Sequence, residues 1–262
     1  MMQLPNGFKF DDYERVRKII VEFIKSYIKN TRAKGAVLGL SGGVDSSLVA
    51  SLACEALGAD NVLGIMLPVD IKKDRRNIAD AEMLAESLGM HHEIFELKKA
   101  IAAYDSLELD RLALGNLTAR LRMVTWYARA NKENRLVLGT GNKSELMIGY
   151  FTKYGDGGSD ILPIGELYKE NVWDLSRHVG IPKSIVEKAP SAGLWEGQTD
   201  EGEIGITYSE LDSILFLTLE KKLSEDEIVE WGIERSKVQR IWKMMKNSQH
   251  KREPLPRPNP RI

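Results

Sequence analysis

The run Ser41-Gly42-Gly43-Val44-Asp45-Ser46-Ser47 places three hydroxyls, two glycines and one carboxylate side by side. Glycines let a backbone approach an anion closely and take a positive φ where a turn requires it, and the serines add hydroxyl donors. A carboxylate at such a place makes sense if a divalent cation bridges Asp45 to phosphates. A second carboxylate, Glu145, follows the polar string Gly139-Thr140-Gly141-Asn142-Lys143-Ser144. Two carboxylates delivered by neighbouring strand ends can hold a Mg²⁺ and its waters. Lys153 stands in a glycine-dense, polar segment, residues 149–160, where contact with a phosphate or carboxylate explains a lysine better than packing does. Each feature also has a plainer use taken alone. The loop could be a Ser/Gly turn closed by a helix cap, Thr140 a turn hydroxyl, and Glu145 a first-turn carboxylate favoured by the helix dipole.

These side chains need elements that bring them to one edge. Residues 36–40 form an apolar run of strand length, and a helical pattern through Leu48, Leu52, Ala53, Ala56 and Leu57 begins just beyond the glycines. A strand thus delivers the loop, and a helix start supplies N–H groups carrying partial positive charge. Further strands are expected at 62–67, 92–95 and 136–138. Helices are expected at 13–28, capped by Asp11-Asp12, and at 45–57, 74–88 and 107–132. This alternation predicts an α/β fold: a doubly wound parallel sheet with helices on both faces. Ligands of such sheets bind beyond the carboxyl ends of the strands, where Ser41 and Thr140 both fall. Extra C-terminal helices are expected at 168–179, 182–188, 208–219, 224–231 and 234–247. Residues 149–160 read as a mobile loop and 192–205 as a second polar, glycine-rich stretch. Residues 251–260, with four prolines in alternation, read as an extended tail that cannot be helical.

The 262 residues suit a single domain spanning 1–262, and 43% apolar residues suffice for a large core. A net charge of −1 offers no broad field for nucleic acid or membrane. No apolar run approaches a membrane span, and Met1-Met2-Gln3-Leu4-Pro5-Asn6-Gly7 lacks a signal-peptide pattern. The single cysteine, Cys54, sits among Ala and Leu and reads as a buried structural thiol. A soluble, cytoplasmic protein without nucleic-acid or membrane partners is expected. His91, His92 and His178 show no metal-ligand spacing and read as structural.

The loop is not the Walker type, which requires Gly-Lys-Ser/Thr, nor the three-glycine dinucleotide fingerprint. Ser-Gly-Gly-Val-Asp-Ser instead resembles the pyrophosphate loop of the ATP pyrophosphatases, which split ATP between its α- and β-phosphates. Gly115-Asn116-Leu117-Thr118-Ala119-Arg120-Leu121-Arg122-Met123 and Phe151-Thr152-Lys153-Tyr154-Gly155-Asp156-Gly157-Gly158-Ser159-Asp160 are similar to segments of the NAD synthetases. So are Lys188-Ala189-Pro190-Ser191-Ala192-Gly193-Leu194-Trp195 and Gln249-His250-Lys251-Arg252. The likeness is collinear from about Asp12 to Arg252 and resembles the ammonia-dependent branch, which carries no glutaminase domain.

That resemblance implies ATP-dependent amidation of deamido-NAD by ammonia. The pyridine carboxylate attacks the α-phosphate, pyrophosphate leaves an acyl-adenylate, and ammonia displaces AMP. It implies that Gly39, Leu40, Ser41, Gly42, Gly43, Val44, Asp45 and Ser46 cradle ATP, with Asp45 and Glu145 on Mg²⁺. Thr140, Lys169 and Ser191 fall on ATP-contacting positions, although relatives often have threonine where Ser191 stands. Arg120, Lys153, Asp160, His250 and Lys251 fall on positions that contact deamido-NAD. Asp45, Lys153 and Asp160 are the expected catalytic groups, Asp160 either orienting substrate or taking a proton from ammonium. A homodimer is implied, and the helix following Gly115 fits one: Leu117, Leu121, Val124, Trp126 and Tyr127 cover more circumference than one buried stripe needs. Ammonia would come from solution or from a separate glutaminase.

Several of these residues have other readings. Arg120, with Arg122 and Arg129, could form a solvated basic face, and His250-Lys251-Arg252 an inert basic tail. Lys169 near a helix start opposes the dipole unless an anion lies close by. Within the superfamily, an enzyme amidating or thiolating another nucleotide or a tRNA is the nearest rival. A tRNA enzyme would carry a basic excess or a cysteine pair, and neither is present. A non-enzymatic nucleotide sensor needs the loop but has no use for two metal carboxylates and a lysine-bearing glycine-rich segment.

Overall fold

In the computed structural model, residues 4–191, 193, 195 and 197–259 are described. Four parallel strands form the sheet: β1 (Ala36–Gly39), β2 (Val62–Met66), β3 (His91–Ile94) and β4 (Leu136–Leu138), in the order β3-β2-β1-β4. Ala36 stands opposite both Val62 and Leu136, so β1 is paired on both sides. The chain builds outward from β1 through β2 to β3 and then crosses back to place β4 on the other side. This reversal puts the switch point between the carboxyl ends of β1 and β4, where an open α/β sheet leaves a crevice.

Period-two alternation divides the strands between two cores. Ala36, Leu38, Val62, Met66 and Leu138 face one cluster, while Val37, Leu63, Ile65 and Val137 face another. The first is covered by α1 (Tyr13–Thr31), α2 (Val44–Leu57) and α3 (Arg75–Leu88). The second lies under α4 (Lys98–Ala102) and α5 (Arg111–Glu133), through Ile101, Leu121, Trp126, Tyr127 and Ala130. After β4 come α6 (Lys143–Ile148), α7 (Lys169–His178) and α8 (Lys183–Val186), the last two closing over the first cluster. A third cluster holds α10 (Tyr208–Leu219), α11 (Glu225–Glu230) and α12 (Arg235–Asn247) together with Phe8 and Tyr168. Short α9 (Asp200–Ile204) precedes this group and α13 (Gln249–Arg252) follows it. Among the described residues no helix is long and apolar enough to cross a membrane. Cys54 is half-buried, and burial pushes its thiol up to about 11, as expected of a structural cysteine.

Four expectations change. The helix expected at 107–132 is α5, which begins only at Arg111, because Asp110 caps it by accepting the Ala113 N–H at 2.8 Å and the chain before it forms a 3₁₀ turn at residues 105–107. Lys251 and Arg252, expected in an extended tail, belong to α13. The prolines restrict the chain only from Glu253, the residue before Pro254. The stretch 192–205 contains α9, capped by Thr199 through the Gly202 N–H; Ala192, Leu194 and Glu196 of that stretch lie outside the described residues.

The segment expected to be a mobile loop, 149–160, is instead packed. A methyl group on Gly155 would meet the Ala119 Cβ at 2.9 Å, and one on Gly158 would meet Met123 at 2.9 Å. Thr152 donates to Asn116 at 2.8 Å, and its N–H donates to Asp156 at 2.9 Å. These glycines permit close approach to α5. The segment ends by adding itself to the free side of β4: the Asp160 N–H donates to the Val137 carbonyl and the Gly139 N–H to the Ile161 carbonyl, both at 2.9 Å.

Candidate functional site

The loop between β1 and α2 is built from its own serines. Ser46 Oγ accepts the Ser41 N–H and donates to the Gly43 carbonyl, while Ser47 Oγ donates to that same carbonyl at 2.8 Å. Ser41 Oγ lies 3.0 Å from Ser46 Oγ and accepts the Gly43 N–H. The two glycines differ. Gly42 has φ +72°, and a Cβ there would lie 2.3 Å from the Asn77 carbonyl on α3, so the fold itself requires it. Gly43 caps α2 with ordinary extended geometry, and a Cβ there would meet only Ser41 Oγ, at 3.3 Å. Packing does not ask for that glycine, whereas an anion seated on the helix start would. No side-chain hydrogen bond caps α2.

Asp45, in the first turn of α2, meets residues from two other helices. Its Oδ1 accepts from Asn142 Nδ2 at 2.9 Å and its Oδ2 from Lys169 Nζ at 2.5 Å. Asn142 also caps α6 reciprocally, accepting the Glu145 N–H at 3.0 Å while Glu145 Oε2 accepts the Asn142 N–H at 3.2 Å. Glu145 Oε1 lies 3.7 Å from Lys169 Nζ. One ammonium and one amide therefore hold both expected metal carboxylates together, as their strand ends predicted.

Lys169 is 2% exposed. Burial pulls its ammonium down, but Asp45 and then Glu145 outweigh this, and its pKa is raised. Glu145 also shifts upward, which for a carboxyl favours the neutral form: burial first, then the Asp45 charge, push it up to about 8. The cation at the start of α7 thus finds the anion its dipole conflict required, in the protein's own carboxylates. Mg²⁺ binds through one or two carboxylates plus phosphate and water oxygens, and Asp45 with Glu145 fits that demand. Among the described residues no group of three His, Cys, Asp or Glu side chains could hold a metal alone.

The remaining expected residues divide. Thr140 and Glu145 line one small cavity of about 50 Å³ with Phe151, Asp156 and Leu162, room for a molecule of the size of water or ammonia. Lys153 Nζ donates to the His250 carbonyl at 2.5 Å, which brings those two together. Lys251 Nζ donates to the Gly149 and Phe151 carbonyls at 2.7 and 2.5 Å, tying α13 to the glycine-rich segment. Asp160 accepts the Val137 N–H at 2.7 Å and the Tyr127 hydroxyl at 3.1 Å. Arg120 is exposed on α5. Ser191 is exposed, and its Oγ accepts the Gly193 N–H in a local turn. Gly39 ends β1 under Trp126, whose ring leaves no room for a Cβ; Leu40 and Val44 are core residues. A larger open depression of about 600 Å³, lined by Leu223, Glu227, Glu230 and Trp231, shares no residue with this constellation.

Three further residues take part that the sequence did not single out. Asn142 orients Asp45. Lys188 Nζ donates to the Gly42 carbonyl at 2.8 Å and pairs with Asp80, bracing the loop from outside. Asp200 is 4% exposed and accepts the Tyr208 hydroxyl at 3.0 Å. Its charge bears on both Lys169 and Glu145. Asn142 stood inside a polar string that pointed to the site. Asp200 carried only the signal of an acid in a glycine-rich stretch.

This geometry has close parallels. Residues 16–255 match the family model described as NAD synthase. The NH(3)-dependent NAD(+) synthetase of Pyrococcus furiosus is 48% identical over 245 residues, covering 92% of this chain and 93% of that protein. The enzyme of the same description from Archaeoglobus fulgidus is 46% identical over 247 residues, covering 94% and 96%. Among solved structures, the NMN synthetase of Francisella tularensis superposes with a TM-score of 0.83 at 36% identity, covering 95% of this chain and all of that one. The NH3-dependent NAD synthetase of Campylobacter jejuni, in complex with nitrate, gives 0.81 at 30% identity with the same coverage. The chain, with its Asp45–Lys169–Glu145 cluster at the sheet's switch point, belongs to the NAD synthase family.

Proposed function

We propose that this chain, folded as one domain, makes NAD from deamido-NAD, ATP and ammonia, releasing AMP and pyrophosphate. A carboxylate is a poor acceptor for ammonia because its oxygen leaves badly, and adenylation splits that hard step into two easier ones. The observation that carries the reading is the convergence of Asp45, Glu145 and Lys169 beside the helix start that Gly43 leaves open. The loop of residues 39–46 receives the phosphates, and Thr140 stands at the adjoining strand end. Lys169, held cationic by its neighbours, offers positive charge to the oxygens that develop negative charge as pyrophosphate departs. Bound by Asp45 and Glu145, Mg²⁺ would neutralise phosphate charge and fix its orientation. The packing of 149–160 on α5 supports Lys153 as a fixed contact for deamido-NAD, with His250 and Lys251 alongside. The bonds from Val137 and Tyr127 to Asp160 support its orienting role over proton transfer. Ser191 is the weakest of the ATP contacts, being engaged in its own turn.

A homodimer fits α5. Leu121, Trp126 and Tyr127 pack on their own sheet, but Leu112, Val124 and Leu114 remain 64%, 56% and 39% exposed. A second copy would cover this surface, and Arg120 on the same helix would reach the neighbour's substrate. Work in the cytoplasm with free ammonia, or with ammonia from a separate glutaminase, suits this reading. The test is purified protein with ATP, Mg²⁺, ammonium and deamido-NAD, scored for NAD and AMP. AMP without NAD would point to another acceptor, of which the mononucleotide nicotinate is the first to try given the NMN synthetase likeness. No turnover on any acceptor would favour a nucleotide sensor.

A further inference from the structure

Helix α7 begins at Lys169, and its cap residue Tyr168 makes no side-chain cap bond. A start without a local cap leaves N–H groups in need of acceptors. Two residues from elsewhere supply them. The Lys169 N–H donates to Ser144 Oγ at 2.9 Å, and the Glu170 N–H donates to Asp212 Oδ2 at 2.9 Å. Ser144 in turn donates to Asp212 Oδ1, so one hydroxyl and one carboxylate join α6, α7 and α10 in a closed knot. Both residues are fully buried. Asp212 is a lone acid in the apolar run Leu211-Asp212-Ser213-Ile214-Leu215. Burying a carboxylate is expensive unless strong donors satisfy it, and burial pushes this one up to about 7. A leucine would fill that position without such a cost, so the acid must do something besides pack.

What the knot holds is informative. Ser144 immediately precedes Glu145, and the N–H it accepts belongs to Lys169. The knot thus clamps the backbone at the two residues whose side chains stand 3.7 Å apart in the site. We infer that Asp212 and Ser144 are positioning residues for the adenylation step: they set the start of α7 against α6 and so fix Lys169 against Glu145 and the phosphates. This rests on the reading of Lys169 as an ATP contact. A displacement of an ångström at such a contact is enough to cost on the order of 100-fold in rate.

Ser144→Ala, Asp212→Asn, the double variant and Lys169→Ala test it, each measured per folded molecule for kcat and for the KM of ATP and deamido-NAD separately. The expected result for Ser144→Ala is a fall in kcat/KM for ATP of about 10- to 100-fold, with the KM for deamido-NAD within about twofold of the parent. The double variant should be little worse than the more severe single one, since residues acting as a unit do not add. A packing role alone would lower melting temperature and the folded fraction while leaving kcat/KM per folded molecule intact, and that result overturns the inference. Additive losses, or a rise in the KM for deamido-NAD as large as that for ATP, overturn it too. If Asp212→Asn does not fold, Ser144→Ala decides the question by the same readouts. Lys169→Ala separates the two levels. Unchanged ATP kinetics there would sink the site reading itself, whereas loss there with a normal Ser144→Ala would sink the positioning role alone.

Discussion

Helices α2 and α7 both bring their first turns to the Asp45–Lys169 pair, and the two starts are finished in opposite ways. At α2 no side chain caps the end, Gly43 offers space, and the surrounding hydroxyls bond among themselves around an open backbone. At α7 every provision comes from the protein, through Ser144 and Asp212 deep in the interior. An uncapped start is an anion site in waiting, since its N–H groups and dipole remain available. A start capped from a distance is a mounting, which spends those same groups to fix where Lys169 emerges. The site therefore combines one helix end kept for the ligand with another used to aim a charge.

The sharpest break in that comparison comes from the carboxylates between the two starts. Asp45→Asn should lower AMP formation by on the order of 100- to 1000-fold. It should also lower melting temperature, because the buried Lys169 then loses its closest carboxylate. Glu145→Gln should lose comparable activity with little loss of stability. Near-normal turnover of either variant at ordinary Mg²⁺ would remove the paired-carboxylate site. Within the loop, Gly43→Ala should raise the KM for ATP about tenfold without moving the melting temperature. Gly42→Ala should destabilise by more than about 1 kcal/mol, because its φ and the Asn77 carbonyl both oppose a Cβ. Equal stability losses at the two glycines would mean that both ends are structural.

Lys153→Ala should reduce turnover several-fold while leaving melting temperature nearly unchanged, since its bond to the His250 carbonyl is made at the surface. A loss of several degrees with normal turnover would make Lys153 a packing residue. The smallest effect is a slope. Without ligands the native protein holds the Glu145 proton from about pH 4.5 to about 8, where the unfolded chain has released it. Stability therefore falls as pH rises through that window. Thermal unfolding of the parent and of Glu145→Gln should diverge toward pH 8, the variant being the more stable there, and converge near pH 5. Parallel curves would show that the Glu145 carboxyl is not held protonated.

Much of this was legible beforehand because it is local. Three of the four strands are short apolar runs ending in polar loops, β3 being the polar exception, and all four appear within about a residue or two of their expected bounds. Asp45 and Glu145 were visible because each opens a helix after a strand. What stayed hidden depends on contacts far apart in sequence. Lys188 reaches Gly42 across 146 residues and Asp212 reaches Ser144 across 68, and no periodicity announces either. An acid inside the largely apolar run of residues 211–217 was the one available sign of Asp212. The glycines of 149–160 misled because close approach and flexibility leave the same mark in a sequence.

Arg252 donates to the Met147 carbonyl at 2.7 Å and to the Leu146 carbonyl at 3.1 Å, finishing the C-terminal end of the helix that carries Glu145. Its position 105 residues downstream matters during synthesis. At roughly 5–20 residues per second on the ribosome, α6 waits about 5 to 20 s for the donors that complete it. The nascent chain can form its sheet and its loop in that interval, and Gly149 and Tyr150 already donate to the Leu146 and Glu145 carbonyls, but the Met147 carbonyl still lacks its Arg252 donor. The end of the helix that carries Glu145 is therefore completed late in synthesis, when residue 252 arrives.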